Sequence, residues 1–208
     1  MKTLQHSTIL MLLMLLTGSV LTLQAQTLSG PASVCEGECY AYTMTPSGSY
    51  IWQVTGGTPA YQTGNSVNIC WGLTGTGTIT VKQGATTVAT LSVIIHPNPT
   101  PVIIPPPIPS CPTSNSAGVP DQGTDCLKAC ANQCLTYKAP LNPGSTYSWD
   151  AGGEISLTPT GINTVSVCWG NPGNGYLKVI ETNQWGCTDS TLICIKIIQS
   201  PVALFTVS

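Results

Sequence analysis

The sequence predicts an all-β chain: two tandem antiparallel β-sandwiches joined by a proline-rich linker. Three observations carry this. Apolar and polar residues alternate with a period of two along many short runs, as in Tyr50-Ile51-Trp52-Gln53-Val54-Thr55. A set of short motifs occurs twice: Cys39 returns as Cys134, 95 positions on, and Cys70-Trp71-Gly72 returns as Cys168-Trp169-Gly170, 98 positions on. Eight of the seventeen prolines fall from Pro97 to Pro112, between the copies.

The chain opens on Met1-Lys2 and an apolar run from Ile9 to Leu16, followed by Leu23-Gln24-Ala25. That is the three-part form of a secretory signal over 1–25, and the run falls short of the ~20 apolar residues that span a bilayer. No cysteine follows the run, so no lipid anchor is expected.

The first sandwich is expected over 26–96. Tyr50–Thr55 and Val67–Trp71 alternate, and Thr78–Val81 and Thr90–Ile95 are β-branched runs. The second is expected over 113–200, where Thr164–Trp169, Gly175–Ile180 and Thr191–Ile198 play the same parts. Glycine, proline, asparagine and serine punctuate the runs, and no segment carries a 3.6-residue apolar stripe. About seven strands per copy favour a sandwich over a barrel. Between them, 97–112 is half proline, which cannot donate to a ladder and fixes φ, so the stretch should adopt extended polyproline II geometry as a semi-rigid spacer. Residues 201–208 alternate as a linker or the first strand of a following repeat would.

Composition narrows the function. There is no arginine, and beyond the signal five lysines face eight acids, for a net charge of −3. Nucleic-acid binding needs clustered cations, so that partner class is excluded. All ten cysteines lie beyond the signal. An even number behind a secretory signal reads as a disulfide framework. Cys126, Cys130 and Cys134 do recur every fourth residue, but without the Cys-x-x-Cys pairs of structural zinc sites.

Catalysis needs a positioned acid, base, nucleophile or metal. Beyond the signal there is one histidine, His96, at the strand–linker boundary. Asp150 and Glu154 flank Gly152-Gly153 in an expected turn, and Glu36 and Glu38 lack the Asp-rich loop of calcium sites. All four read as solvated surface. No Gly-rich phosphate loop opens a helix. The chain is expected to be no enzyme, with no catalytic residue, cofactor or metal.

Gly30-Pro-Ala-Ser-Val-Cys35-Glu-Gly37, Tyr50-x-Trp52, Gly56-Gly57 and Trp71-Gly72 resemble the PKD-like, immunoglobulin-type repeats of secreted and surface bacterial proteins. The second copy keeps Tyr147-x-Trp149, Gly152-Gly153 and Trp169-Gly170, and Trp185-Gly186-Cys187 is similar to the family's turn before the last strand. The acidic Trp-Asp-Phe-Gly-Asp-Gly form is missing; only Asp150 follows Trp149. The resemblance implies an Ig-like sandwich, export (often by type IX secretion) and use as a repeated module in adhesins or beside secreted enzymes.

In such a sandwich the strands carrying Cys39 and Cys70 are neighbours. Tyr40, Tyr42 and Met44 on one, and Val67, Ile69 and Trp71 on the other, are expected to face the core. Cys39 and Cys70 then face outward within bonding reach, and Cys134 and Cys168 repeat the argument. Each bridge could contribute ~2–4 kcal/mol by restricting the unfolded chain. Trp52, Trp71, Trp149 and Trp169 are expected in the cores; Trp185, in a turn, is the aromatic nominated for surface recognition. The resemblance pairs Cys130 with Cys187; a first-to-last-strand bridge pairs Cys126 with Cys194, leaving Cys35 with Cys111. The sequence alone leaves the connectivity of these six open.

The expected role is a non-catalytic, extracellular or cell-surface structural or adhesive module. The alternatives are a glycan- or protein-binding module, or accessory domains of a secreted enzyme whose catalytic part lies outside this chain. Partners would be an extracellular protein or polysaccharide, with further repeats in a longer chain and no membrane span after signal cleavage.

Overall fold

The computed structural model describes residues 25–107 and 126–199. Residues 1–24 of the expected signal, Cys111 and residues 201–208 lie outside them. Among the described residues there are sixteen strands and no helix. In the first half these are β1 (Thr27–Ser29), β2 (Ser33–Cys35), β3 (Cys39–Thr45), β4 (Tyr50–Thr55), β5 (Gly57–Thr58), β6 (Tyr61–Gly64), β7 (Ser66–Trp71), β8 (Gly75–Gln83) and β9 (Thr86–His96). The second half holds β10 (Leu127–Cys130), β11 (Cys134–Lys138), β12 (Thr146–Gly152), β13 (Glu154–Gly161), β14 (Thr164–Trp169), β15 (Gly173–Thr182) and β16 (Thr188–Ile198).

The first half forms two sheets, β1-β3-β7-β5 and β2-β9-β8-β4-β6; the second forms β11-β14-β13 and β10-β16-β15-β12. In the first half the pair order matches the ABED and CFG sheets of an immunoglobulin-type sandwich; among the described residues the second half keeps the B-E-D and C-F-G orders, with no strand in the A position of its three-stranded sheet. All pairings are antiparallel except β2 with β9 and β10 with β16. Each sandwich closes on its own core cluster.

Alternation decides what is buried. In β7, Val67, Ile69 and Trp71 are buried while Ser66 and Asn68 are exposed. The Trp71 indole meets Tyr42 edge-on at 6.0 Å and donates to its hydroxyl at 3.1 Å. Trp169 and Tyr137 repeat this at 6.2 Å and 3.0 Å. The repeated glycines follow too. Gly72 N–H donates to Gly56 O at 2.8 Å, and Gly170 N–H to Gly153 O at 3.0 Å. Gly56 and Gly153 hold φ of 78° and 84°, a region that favours glycine.

Cys39 is bonded to Cys70 and Cys134 to Cys168, with Cα separations of 3.9 Å and 3.8 Å. Each pair sits directly opposite in register. The backbone bonds fall on the next pair, Trp71 N–H to Glu38 O and Trp169 N–H to Gln133 O, both 2.9 Å. The cysteines thus take non-hydrogen-bonded positions, where antiparallel strands approach most closely. Cys126 is bonded to Cys194, one step beyond the Leu127–Ile195 pair.

Two expected pairings are corrected. Cys187 is bonded to Cys35, not Cys130, so Cys35 is not bonded to Cys111. The bridge spans 152 positions and joins the two halves, with a Cα separation of 5.5 Å. The reason is placement: Cys35 ends β2 beside His96, and the β15–β16 turn carrying Cys187 lies against that end. Cys130 is also disulfide-bonded.

Over 97–107, the expected spacer packs against the second half instead of holding it away. Ile103 is buried in the second core. Ile104 exchanges backbone hydrogen bonds with Lys138 at 2.7 Å and 3.1 Å, beside β11 as β1 lies beside β3. Prolines offer no N–H, but their carbonyls still accept. Asn183 Nδ2 donates to Pro97 O at 2.9 Å and Thr191 Oγ1 donates to Pro101 O.

The copies also differ at one tryptophan. Trp52 is fully buried and donates to Gly64 O on β6 at 2.9 Å. In the second half the corresponding segment runs whole as β13 beside β14, leaving β12 as a sheet edge among the described residues. Trp149 is there only half-buried against the core, and its Nε1 is enclosed without an acceptor.

Candidate functional site

The side chains that can carry recognition gather where the halves meet. Trp185, 48% exposed, stands in the turn between β15 and β16. That turn is held by Asn183, whose Oδ1 accepts the N–H groups of Trp185 and Cys187, each at 3.0 Å. Gly186, at φ 84°, lets the chain return so that Asn183 N–H reaches Cys187 O at 2.9 Å. The Trp185 indole stacks on the His96 ring from the first half. The other side of that imidazole is tied to Ser33 Oγ, 2.8 Å from Nε2.

A carboxylate fixes the chain as it leaves the first half. Glu36 Oε2 accepts Thr74 Oγ1 at 2.8 Å and Thr74 N–H at 3.0 Å; Oε1 accepts Asn98 N–H at 3.2 Å. Asn98 Nδ2 returns a bond to Glu36 O at 3.1 Å. Donation by the Thr74 hydroxyl, then by the Asn98 and Thr74 amides, holds the Glu36 carboxyl below its usual pKa.

Beside Trp185 lies a groove of about 250 Å³. Its walls are Asn98 and Thr100 from the connecting segment, Asn142 and Ser145 before β12, and Glu181 and Trp185. Its lining holds one carboxylate, amides and hydroxyls, and no cationic side chain.

The other nominated groups fall elsewhere. Asp150 Oδ2 accepts the Tyr176 hydroxyl at 3.1 Å, which pushes that phenol's pKa up. Both Glu36 carboxylate oxygens accept hydrogen bonds, from Thr74 and from Asn98. Among the described residues no three His, Cys, Asp or Glu side chains converge as metal ligands would. Sequence reasoning brought Trp185 forward but missed Glu181. The signal was present: Leu177, Val179 and Glu181 share one phase of β15, so an acid continues an inward-facing row.

No protein-family model matches the chain, and no curated protein matches it. Among solved structures, the chain is similar to fibronectin(III)-like modules of Clostridium thermocellum CbhA: 11% identity, 88% of this chain, 100% of that one, TM-score 0.38. Murine CEACAM1b shares 13% identity over 84% of this chain and 99% of its own, at TM-score 0.36. A C-terminal fragment of intimin in complex with the intimin-binding domain of its translocated receptor shares 14% identity over 82% of this chain and 63% of its own, at TM-score 0.45. The fold assignment rests on the strand order itself: an all-β chain of immunoglobulin-like sandwiches.

Proposed function

We propose that the chain is a non-catalytic structural or adhesive module of an exported or cell-surface protein, a stiff pair of PKD-like, immunoglobulin-type domains. On this reading 1–25 is a cleaved signal, 26–96 and 113–200 are the domains, and 97–112 connects them. Residues 201–208 are then a linker or the opening strand of a further repeat, and type IX secretion is the export route the resemblance implies. The observation that carries the reading is the Cys35–Cys187 bridge. A covalent tie between sandwiches, reinforced by the His96–Trp185 stack, removes the hinge that a spacer with a binding tip must lack. The bridges also support export, because structural disulfides persist in oxidising compartments.

Small-angle X-ray scattering of the exported protein tests this. The Cys35→Ser/Cys187→Ser variant should show a larger radius of gyration and a broader distance distribution than the wild type. Superimposable curves would remove the stiff-module reading. Coding DNA beyond codon 208 separates the finer roles: more repeats support adhesion, and a catalytic domain supports an accessory of a secreted enzyme.

The half-exposed Trp185 beside a groove favours a second reading, a glycan- or protein-binding module. Glycan arrays with Trp185→Ala as control distinguish it from the first.

A further inference from the structure

Glu181 is the one charged residue lining the junction groove. It is 1% exposed, on the inward phase of β15. Oε1 accepts Asn142 Nδ2 at 2.8 Å and the Tyr147 hydroxyl at 3.3 Å; Oε2 is enclosed and accepts no hydrogen bond. A carboxylate withdrawn from water is unfavourable unless donors or a countercharge meet it. No lysine lines the groove, and two nearby carboxylates share its sign. Asp189 stands opposite Glu181 in register on β16, and Glu36 grips Asn98 at the rim. Such a lining attracts a positive group and repels an anion.

We propose that this groove binds an organic cation, an ammonium or guanidinium group, with Glu181 Oε2 as its charge partner and the Trp185 indole as a side wall. An ammonium brings three donors, and beyond the carboxylate the groove offers the Asn142 side-chain carbonyl and the Ser145 hydroxyl as acceptors. An indole within reach adds a cation–π attraction. Calcium fits worse, since it takes six to eight oxygens and usually several carboxylates. A neutral sugar gives Oε2 a donor but leaves its charge uncompensated. The volume suits a single side chain or a small amine. Either source presents the same chemistry, and the site stands whether or not the stiff-module reading holds.

The test is a titration of the oxidised protein, followed by the indole N–H resonance of Trp185 at fixed ionic strength. n-Butylammonium chloride and N-acetyl-lysine methylamide should each give a saturable shift, while 1-butanol and glucose give none. Glu181→Gln should weaken both cations at least about tenfold with the fold intact. Tighter binding of a lysine-containing peptide than of butylammonium points to a partner's side chain, and equal binding to a free amine. If Glu181→Gln does not fold, Trp185→Ala decides, read through the Ser145 amide resonance, with several-fold weaker cation binding expected. No saturable shift with either cation overturns the proposal. So do unchanged affinities in the deciding variant, or saturation by calcium chloride or glucose instead.

Discussion

His96 and Trp185 stack face to face across the junction, with ring centroids 4.7 Å apart and planes 13° from parallel. Each ring is fixed from behind, His96 by Ser33 Oγ and Trp185 by the Asn183 turn. The stack therefore forms between surfaces already in place, and little side-chain entropy offsets it. A double-mutant cycle with His96→Ala and Trp185→Ala should return a coupling of ~0.5–1.5 kcal/mol in urea unfolding. Strict additivity would show the stack to be incidental.

The two Trp–Tyr pairs make a matched prediction. Tyr42→Phe leaves the Trp71 N–H enclosed without its acceptor and also removes a bond to Pro31 O, 2.9 Å in the native protein. Tyr137→Phe strands Trp169 in the same way. Each should lose ~1–3 kcal/mol, the usual penalty for an unpaired buried donor, read as a lower urea midpoint at unchanged slope.

Acid should loosen the junction through Glu36. Its folded pKa is held below the usual glutamate value, mainly by the Thr74 hydroxyl. A depressed folded pKa means stability present above the unfolded value and lost as pH falls through the folded one. Melting temperature should therefore decline below about pH 4.5 more steeply in wild type than in Glu36→Gln, which has no such carboxyl to titrate. Identical acid limbs would remove Glu36 from the junction's pH response.

What the sequence discloses here is local. Period-two alternation is a property of one strand, so Val67, Ile69 and Trp71 declare their phase, and the all-β class follows without any knowledge of neighbours. The outward placing of Cys39 and Cys70 comes from the same alternation. The Cys35–Cys187 bridge does not, because it depends on how one sandwich sits on the next, and nothing within either strand encodes that. Ile103 and Ile104 were masked by surrounding prolines, whose composition signals a spacer even where two apolar residues fill a core edge. Glu181 was visible as an acid in an inward row, yet its meaning needs Asn142, Tyr147 and the connecting segment around it, brought together from 39, 34 and about 80 positions away.

The unequal tryptophans give the sharpest comparison between the copies. Trp52→Phe and Trp149→Phe remove the same atoms from corresponding strands. In the first half the change also strips Gly64 O of its donor and loosens β6 from β4, which pair from Tyr50 to Gln53. In the second half it removes an enclosed N–H that has no acceptor to lose. Removing an unsatisfied donor is close to neutral or stabilising, whereas breaking a satisfied bond is not. Trp52→Phe should thus be the more destabilising by ~1–2 kcal/mol in parallel urea titrations. The opposite order would mean that the Trp149 N–H has a partner in solution that the described residues do not supply.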